Sequence, residues 1–151
     1  MLRKLEKADI GRVAELWLDS NRQAHDFIPA RYWEDRLGMV KELFAQAELY
    51  VYEEREGDDS RILGFVGLDG DYIAGIFVER DARSRGIGRQ LLDFVKSIRP
   101  GLSLHVYQKN LGAVNFYKRE GFRICQEQVD GDTGQEEYRM VWEKGSCSRE
   151  I

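Results

Sequence analysis

Between Val78 and Leu92 the chain reads Val-Glu-Arg-Asp-Ala-Arg-Ser-Arg-Gly-Ile-Gly-Arg-Gln-Leu-Leu. Gly86 and Gly88 carry no Cβ, so a ligand can approach their backbone closely. A helix that opens there presents N–H groups without intrahelical partners, together with the positive end of its dipole. Such a turn binds phosphate or pyrophosphate, and Arg83, Arg85 and Arg89 add positive charge around it. The alternative reading of the same residues is a tight turn with solvated arginines. Two phosphate motifs are excluded. No Gly-Lys-Ser/Thr follows the glycines, and Leu91 stands where a dinucleotide fingerprint needs its third glycine.

A second group lies downstream. Asn110 and Tyr117 are seven residues apart, which puts them within about 20° of one helix face. Asn110 also reads as a plain helix N-cap, and Tyr117 as a core aromatic. In Leu102-Ser103-Leu104-His105-Val106-Tyr107 the period of two puts Leu102, Leu104 and Val106 on one face and Ser103, His105 and Tyr107 on the other. His105 therefore points away from the apolar face, and a neutral imidazole can accept a proton. Two histidines and two cysteines, widely scattered, make no zinc site, and no metal is expected.

The elements needed to hold these residues can be read from periodicity. Met1–Glu6 reads as a short strand. Asp9 is placed to cap a helix with Ile10, Val13, Ala14, Trp17 and Leu18 on one side. A second helix carries Trp33, Leu37, Val40 and Phe44 on one face. Three consecutive strands follow at Glu48–Glu54, Ile62–Leu68 and Tyr72–Val78, separated by Gly-Asp turns. The helix after the glycine loop has the stripe Ile87, Leu91, Phe94, Val95 and Ile98, and Pro100-Gly101 ends it. Leu102–Tyr107 is a strand, Asn110–Glu120 a short helix with Gly121 as its C′ residue, and Phe122–Gln128 and Glu136–Trp142 a last hairpin. The order β-α-α-β-β-β-α-β-α-β-β specifies a mixed α/β sheet. Its strand–loop–helix–strand unit from Tyr72 to Tyr107 is a right-handed crossover between parallel strands.

A chain of 151 residues fits one domain, expected over residues 1–142 with a flexible tail at 143–151. Hydrophobic residues at 42% and charged residues at 33% describe a globular chain. The net charge of -4 speaks against general nucleic-acid binding. No apolar run approaches the ~18–20 residues that span a bilayer, so no membrane partner is expected. Met1–Glu6 has no apolar core of a signal peptide. Cys125 and Cys147 make no disulfide framework, which suggests a reducing, cytoplasmic setting.

Arg83-Ser84-Arg85-Gly86-Ile87-Gly88, with Val78 five residues before Arg83, resembles the Arg/Gln-x-x-Gly-x-Gly/Ala loop of the GNAT superfamily of acetyl-CoA-dependent N-acetyltransferases. Asn110 to Tyr117, followed by Glu120-Gly121-Phe122, resembles that family's second signature, at the right separation and on the right elements. The element order matches the family fold from Met1 to Trp142. The stretches Glu15–Leu18, His25–Ile28 and Val106–Asn110 resemble a bacterial subgroup that includes a protein-lysine acetyltransferase.

The resemblance implies a mostly antiparallel mixed sheet, splayed between its fourth and fifth strands and flanked by helices. It implies acetyl-CoA as co-substrate and an amine as acceptor. Backbone N–H groups from Ser84 through Arg85, Gly86, Ile87 and Gly88 to Arg89 would cradle the CoA pyrophosphate, with Arg83 beside them. Ile76, Phe77 and Val78 would pair their backbone with the pantetheine arm, and the Val78 N–H would face the thioester carbonyl. Asn110 would contact the pantetheine region. Tyr117 would sit near sulfur, protonating the thiolate or hydrogen-bonding it as charge builds. The link bearing His25, Asp26 and Phe27, with Trp33 just after it, would border the acceptor pocket. Phe27 and Trp33 read equally as core, and Asp26 as solvated surface. Many relatives carry a glutamate base at the position of His105, so the proton acceptor here is His105, His25 or water. The acceptor is a protein lysine, an N-terminus or a small amine. The rival function is a non-catalytic module that senses acyl-CoA. A monomer or a homodimer paired at a sheet edge fits the chain.

Overall fold

A computed structural model describes residues 1–144. Seven strands form one sheet in the order β1-β2-β3-β4-β5-β7-β6. They are β1 (Leu2–Lys4), β2 (Glu48–Glu56), β3 (Asp59–Asp69), β4 (Tyr72–Val78), β5 (Gly101–Tyr107), β6 (Arg123–Val129) and β7 (Glu136–Glu143). The helices are α1 (Ile10–Ala24), α2 (Ala30–Glu34), α3 (Leu37–Phe44), α4 (Ile87–Ile98) and α5 (Leu111–Arg119). All neighbouring strands are antiparallel except β4 and β5. The meander of three strands and the closing hairpin stand where the period-two pattern puts them. Glu143 closes β7 opposite Gly101, and the expected tail beyond Lys144 lies outside the described residues.

β3 explains why the sheet is covered on both sides. Ile62 to Leu68 is buried without a break, the pattern of a central strand with cores on both faces. One core packs Leu91, Leu92 and Val95 of α4 and Val114 and Tyr117 of α5 against Val66, Leu68, Leu104 and Met140. The other packs Val13 and Leu16 of α1 against Leu49, Val51, Ile62 and Phe65. Burying a side chain of this kind contributes roughly 1.5–3 kcal/mol, so the two layers fix the strands between them.

β4 pairs with β3 from Tyr72 to Val78 but meets β5 only at Tyr72 and Ser103, where the Ser103 N–H donates to the Asp71 carbonyl at 2.9 Å. From that point to Val78 on one side and Tyr107 on the other, the two strands diverge. The splay expected between the fourth and fifth strands is thus present, with its closed end at Tyr72.

Two local expectations are corrected. The second helix is broken into α2 and α3. Arg36 donates its guanidinium to the Tyr32 carbonyl at 2.9 Å, and its own N–H goes to Trp33 O. The carbonyl that would continue a regular i→i−4 ladder is thereby taken by a side chain. Asp9 does not cap α1 through its carboxylate, which instead accepts from the Glu6 N–H and pairs with Arg3, both at 2.8 Å. A 3₁₀ turn at Lys7–Asp9 precedes α1 and shifts the capping box forward onto Glu6 and Asp9. Asn110 and Gly121 serve α5 as expected. The Asn110 side chain accepts from the Ala113 N–H, and Gly121 adopts φ +94°.

Candidate active site

The glycine loop enters α4 through two left-handed residues, Ser84 at φ +67° and Gly86 at φ +79°. Gly86 takes that conformation without a steric cost, while Ser84 holds it against one. Gly86 is the N-cap of α4 and offers no side-chain acceptor, so the first N–H groups of the helix point outward from the cap. Ile87 is 2% exposed, so its side chain belongs to the core and only its backbone faces the loop. A Cβ on Gly88 would project between Val78 and the Phe116 ring, 3.8 and 3.6 Å away. That direction leads into the space between β4 and α5.

The three arginines are not free cations. Arg85 pairs with Glu54 at 2.5 Å, and Arg89 lies 3.9 Å from Asp93 and 3.7 Å from Glu120. Arg83 donates to the Val78 carbonyl at 3.4 Å. All three are exposed, so an incoming anion competes with partners that water already weakens.

The edge of β4 that faces β5 is open beyond Tyr72. The Glu79 N–H donates to Leu63 O on β3 at 2.7 Å. Because backbone direction alternates along a strand, Val78 and Ile76 present their N–H and C=O to the gap. The Ile76 and Val78 side chains pack against the α4–α5 core, whereas Phe77 turns to the α1 side and stacks on Phe65 at 5.1 Å. The Phe77 ring lies over Gly75, where a Cβ would collide with it. Beside it, Trp17, Phe44, Phe65, Ala74 and Phe77 line an apolar groove of about 550 Å³ on the α1–α3 side of the sheet.

Tyr117 is 8% exposed, with its ring 5.2 Å from Phe116 and 5.5 Å from Phe122. Burial first, then the nearby Tyr72 phenol, pushes its hydroxyl well above the ordinary tyrosine range. It is a core aromatic that keeps its proton and can donate a hydrogen bond.

On the other side of the gap, His25 follows α1 directly. Its Nε2 lies 3.2 Å from Asn110 Nδ2, and its ring is surrounded by Tyr107 at 5.0 Å, Trp33 at 5.3 Å and Phe27 at 5.6 Å. Burial pushes His25 down to about 4. Its Nδ1 and the Trp33 Nε1 are buried without a protein partner. Trp33 is 7% exposed and also meets Trp17 and Tyr32 edge-on, so it forms part of the core. Lys109 Nζ sits 5.4 Å from the Phe27 ring. Asp26 is exposed.

His105 is exposed on the face opposite Leu104 and Val106, as its alternation requires. Its Nδ1 lies 2.9 Å from the Tyr72 hydroxyl. The structure therefore brings His105 and Tyr72 together, with the Tyr117 phenol near that of Tyr72, and brings His25 to Asn110. Sequence reasoning missed Tyr72, Tyr107 and Asp130, whose carboxylate accepts from the Tyr107 hydroxyl at 2.6 Å. Tyr107 had a signal, since it shares the His105 face by period two. Tyr72 and Asp130 had none, because strand pairing and a hairpin loop bring them in.

Residues 45–124 match the family model described as an acetyltransferase (GNAT) domain. Over 144 residues the chain is 38% identical to the peptidyl-lysine N-acetyltransferase YiaC of Escherichia coli, covering 94% of this chain and 96% of that protein. It is 31% identical to the peptidyl-lysine N-acetyltransferase YjaB of Escherichia coli, with 81% of each covered. The solution structure of apo-form YjaB from Escherichia coli superposes with a TM-score of 0.81 at 27% identity, covering 94% of this chain and 96% of that one.

Proposed function

From a chain that belongs to the GNAT acetyltransferases, we propose that it transfers the acetyl group of acetyl-CoA to the side-chain amine of a protein lysine. The observation that carries the reading is the gap between β4 and β5. It offers the Val78 N–H and the Ile76 backbone on one wall, with Asn110 and Tyr117 of the α5 segment across from them and the left-handed turn into α4 at its open end. The names of the similar proteins support lysine as the acceptor class. A cytoplasmic setting goes with that reading, on the ground of two cysteines without a disulfide framework.

The co-substrate's diphosphate meets the N–H groups between Ser84 and Arg89, and Arg83, Arg85 and Arg89 exchange their present partners for it. The pantetheine arm runs along Ile76–Val78 as an added strand, with Asn110 on its other side. The reactive end then lies toward the closed end of the gap, beside Tyr72, His105 and Tyr117. The Ile76 N–H, nearer the closed end than that of Val78, donates to the thioester oxygen as negative charge develops on it. Attack by the amine nitrogen forms the new C–N bond, and breaking of the C–S bond releases the thiolate, which the Tyr117 hydroxyl stabilises by hydrogen bonding and which takes up the second proton of the nitrogen. His105 takes the proton that the ammonium must lose before attack. For Nε2 to receive it, Nδ1–H donates to the Tyr72 oxygen, so Tyr72 sets the tautomer. The depressed basicity of His25, with its Nε2 already on Asn110, favours His105 over His25.

The test is an acceptor screen. Acetyl-CoA is offered with lysine-containing proteins and peptides, peptide N-termini and small amines, and both thiol release and acetylated product are measured. Acetylated lysine with stoichiometric thiol supports the reading. Acetylation confined to N-termini or small amines overturns the acceptor class. Tight acetyl-CoA binding with no product on any amine makes the protein a sensor of acyl-CoA.

A further inference from the structure

The contact between His25 and Asn110 joins residues 85 positions apart, one from the acceptor-side link and one from the cap of the helix that carries Tyr117. We infer that His25 is a positioning residue that fixes the Asn110 amide for the pantetheine arm, so that the acceptor-side link helps to hold acetyl-CoA. The inference rests on the acetyl-CoA reading above.

Asn110 has four hydrogen-bonding positions, two on Oδ1 and two on Nδ2. Oδ1 accepts from the Ala113 N–H at 3.3 Å. That bond orients the amide, because the opposite flip would set Nδ2 against a donor. Nδ2 is thereby turned toward His25 Nε2 at 3.2 Å. An N–H to N bond of this sense needs a bare lone pair on Nε2, which places the imidazole proton on Nδ1. The imidazole stays neutral at ordinary pH because it is buried among rings, so it acts as a standing acceptor. One Nδ2 proton and one Oδ1 lone pair are left over, the complement a pantetheine amide requires.

The imidazole is itself held. The His25 backbone N–H donates to Asn21 O, and the Ile28 N–H donates to the His25 backbone carbonyl, each at 3.0 Å, which fixes the main chain that carries the ring. Tyr107 meets the ring edge-on at 5.0 Å, and Asp130 anchors the Tyr107 hydroxyl at 2.6 Å. A continuous set of contacts thus runs from the β6–β7 loop through Tyr107 and His25 to Asn110. Without the His25 acceptor, the Asn110 amide has one bond left to hold it and turns more freely. A residue on the acceptor side then affects the affinity for the donor substrate.

The experiment is a double-mutant cycle with His25→Phe, which keeps a ring but removes the acceptor, and Asn110→Ser, which keeps an N-cap oxygen but removes the amide. Acetyl-CoA affinity is read by calorimetry in the absence of any acceptor, and kcat/KM is read with the best amine. Each single variant should bind acetyl-CoA about tenfold more weakly, the loss of roughly one hydrogen bond. The double variant should also lose about tenfold. His25→Gln, whose side-chain oxygen accepts from Asn110, should recover most of the loss. If the larger ring prevents folding, His25→Leu takes its place. Losses that multiply to about a hundredfold overturn the inference, as does a His25→Phe protein with unchanged acetyl-CoA affinity and a raised acceptor KM. A wild-type protein that binds no acetyl-CoA overturns both readings. Multiplicative losses in a binding-competent protein overturn this one alone.

Discussion

Tyr117 keeps its proton because an oxyanion among Phe116, Phe122 and the α4 leucines would lack solvation. A phenol so placed is a poor source of a free proton and a good hydrogen-bond donor to a sulfur gaining charge. Tyr117→Phe should lower kcat about 10²-fold, within the range for acid–base groups, and leave acetyl-CoA affinity unchanged by calorimetry. A wild-type kcat under chemistry-limited conditions would remove Tyr117 from the mechanism. His105→Gln keeps a polar side chain but no proton acceptor. Its kcat/KM profile should lose the acid-side limb of the wild type and recover only as free amine accumulates at high pH. An unchanged limb transfers the role to water or His25. His25 makes a separate prediction about stability. The folded protein binds the His25 proton only near pH 4, whereas the ordinary value is 6.5. Between those values the unfolded chain holds more protons, so stability rises with pH across the window and falls on acidification. Thermal melts from pH 7 to pH 4 should show wild type losing more stability than His25→Gln.

At the scale of elements, the strand–loop–helix unit is where sequence and structure agree most closely, because its chemistry needs no side chains. A backbone that must present N–H groups at a left-handed turn restricts the residues it can use, and Gly86 records that restriction, while Gly88 keeps the space between Val78 and Phe116 clear. Gly88→Asp would direct a carboxylate between Val78 and Phe116, and calorimetry should show acetyl-CoA binding lost or greatly weakened in a folded protein. Unchanged affinity would move the diphosphate elsewhere. The Asn110–Tyr117 pair was legible for a similar reason, since helical geometry converts a spacing of seven into one face. Tyr72–His105 and His25–Asn110 were not legible. Their members are 33 and 85 residues apart, and only the β4–β5 bridge and the packing of α1 bring them together. Periodicity also missed the break between α2 and α3, because Trp33, Leu37, Val40 and Phe44 suit one face whether or not Arg36 takes the Tyr32 carbonyl. The Arg89–Asp93 pair has a legible i,i+4 spacing, whereas Glu54 and Glu120, which pair with Arg85 and Arg89, have no local pattern that connects them to the loop.

For the whole molecule, the sheet order follows from the β2–β4 meander and the β5–β7–β6 group joined by one crossover. What composition does not reveal is that these two halves of the sheet share only one bridge, at Tyr72 and Ser103. The ligand-free protein is therefore held across its middle by helix packing more than by strand pairing. Native-state hydrogen exchange should see this seam. The Ser103 N–H points at Asp71, so by alternation His105 and Tyr107 turn theirs into the gap, opposite Ile76 and Val78. The Ile76, Val78 and Tyr107 amides should exchange faster than their neighbours on β3 and β7, while the His105 amide is held by the Tyr72 hydroxyl. Saturating acetyl-CoA should slow Ile76 and Val78 most, and at about 100 times its Kd should stabilise the whole chain by about 2.7 kcal/mol. Equal protection on both edges of β4 without ligand would mean that the seam is already closed. In cooperative terms, the co-substrate would serve as the eighth strand that lets two folding units open and close as one.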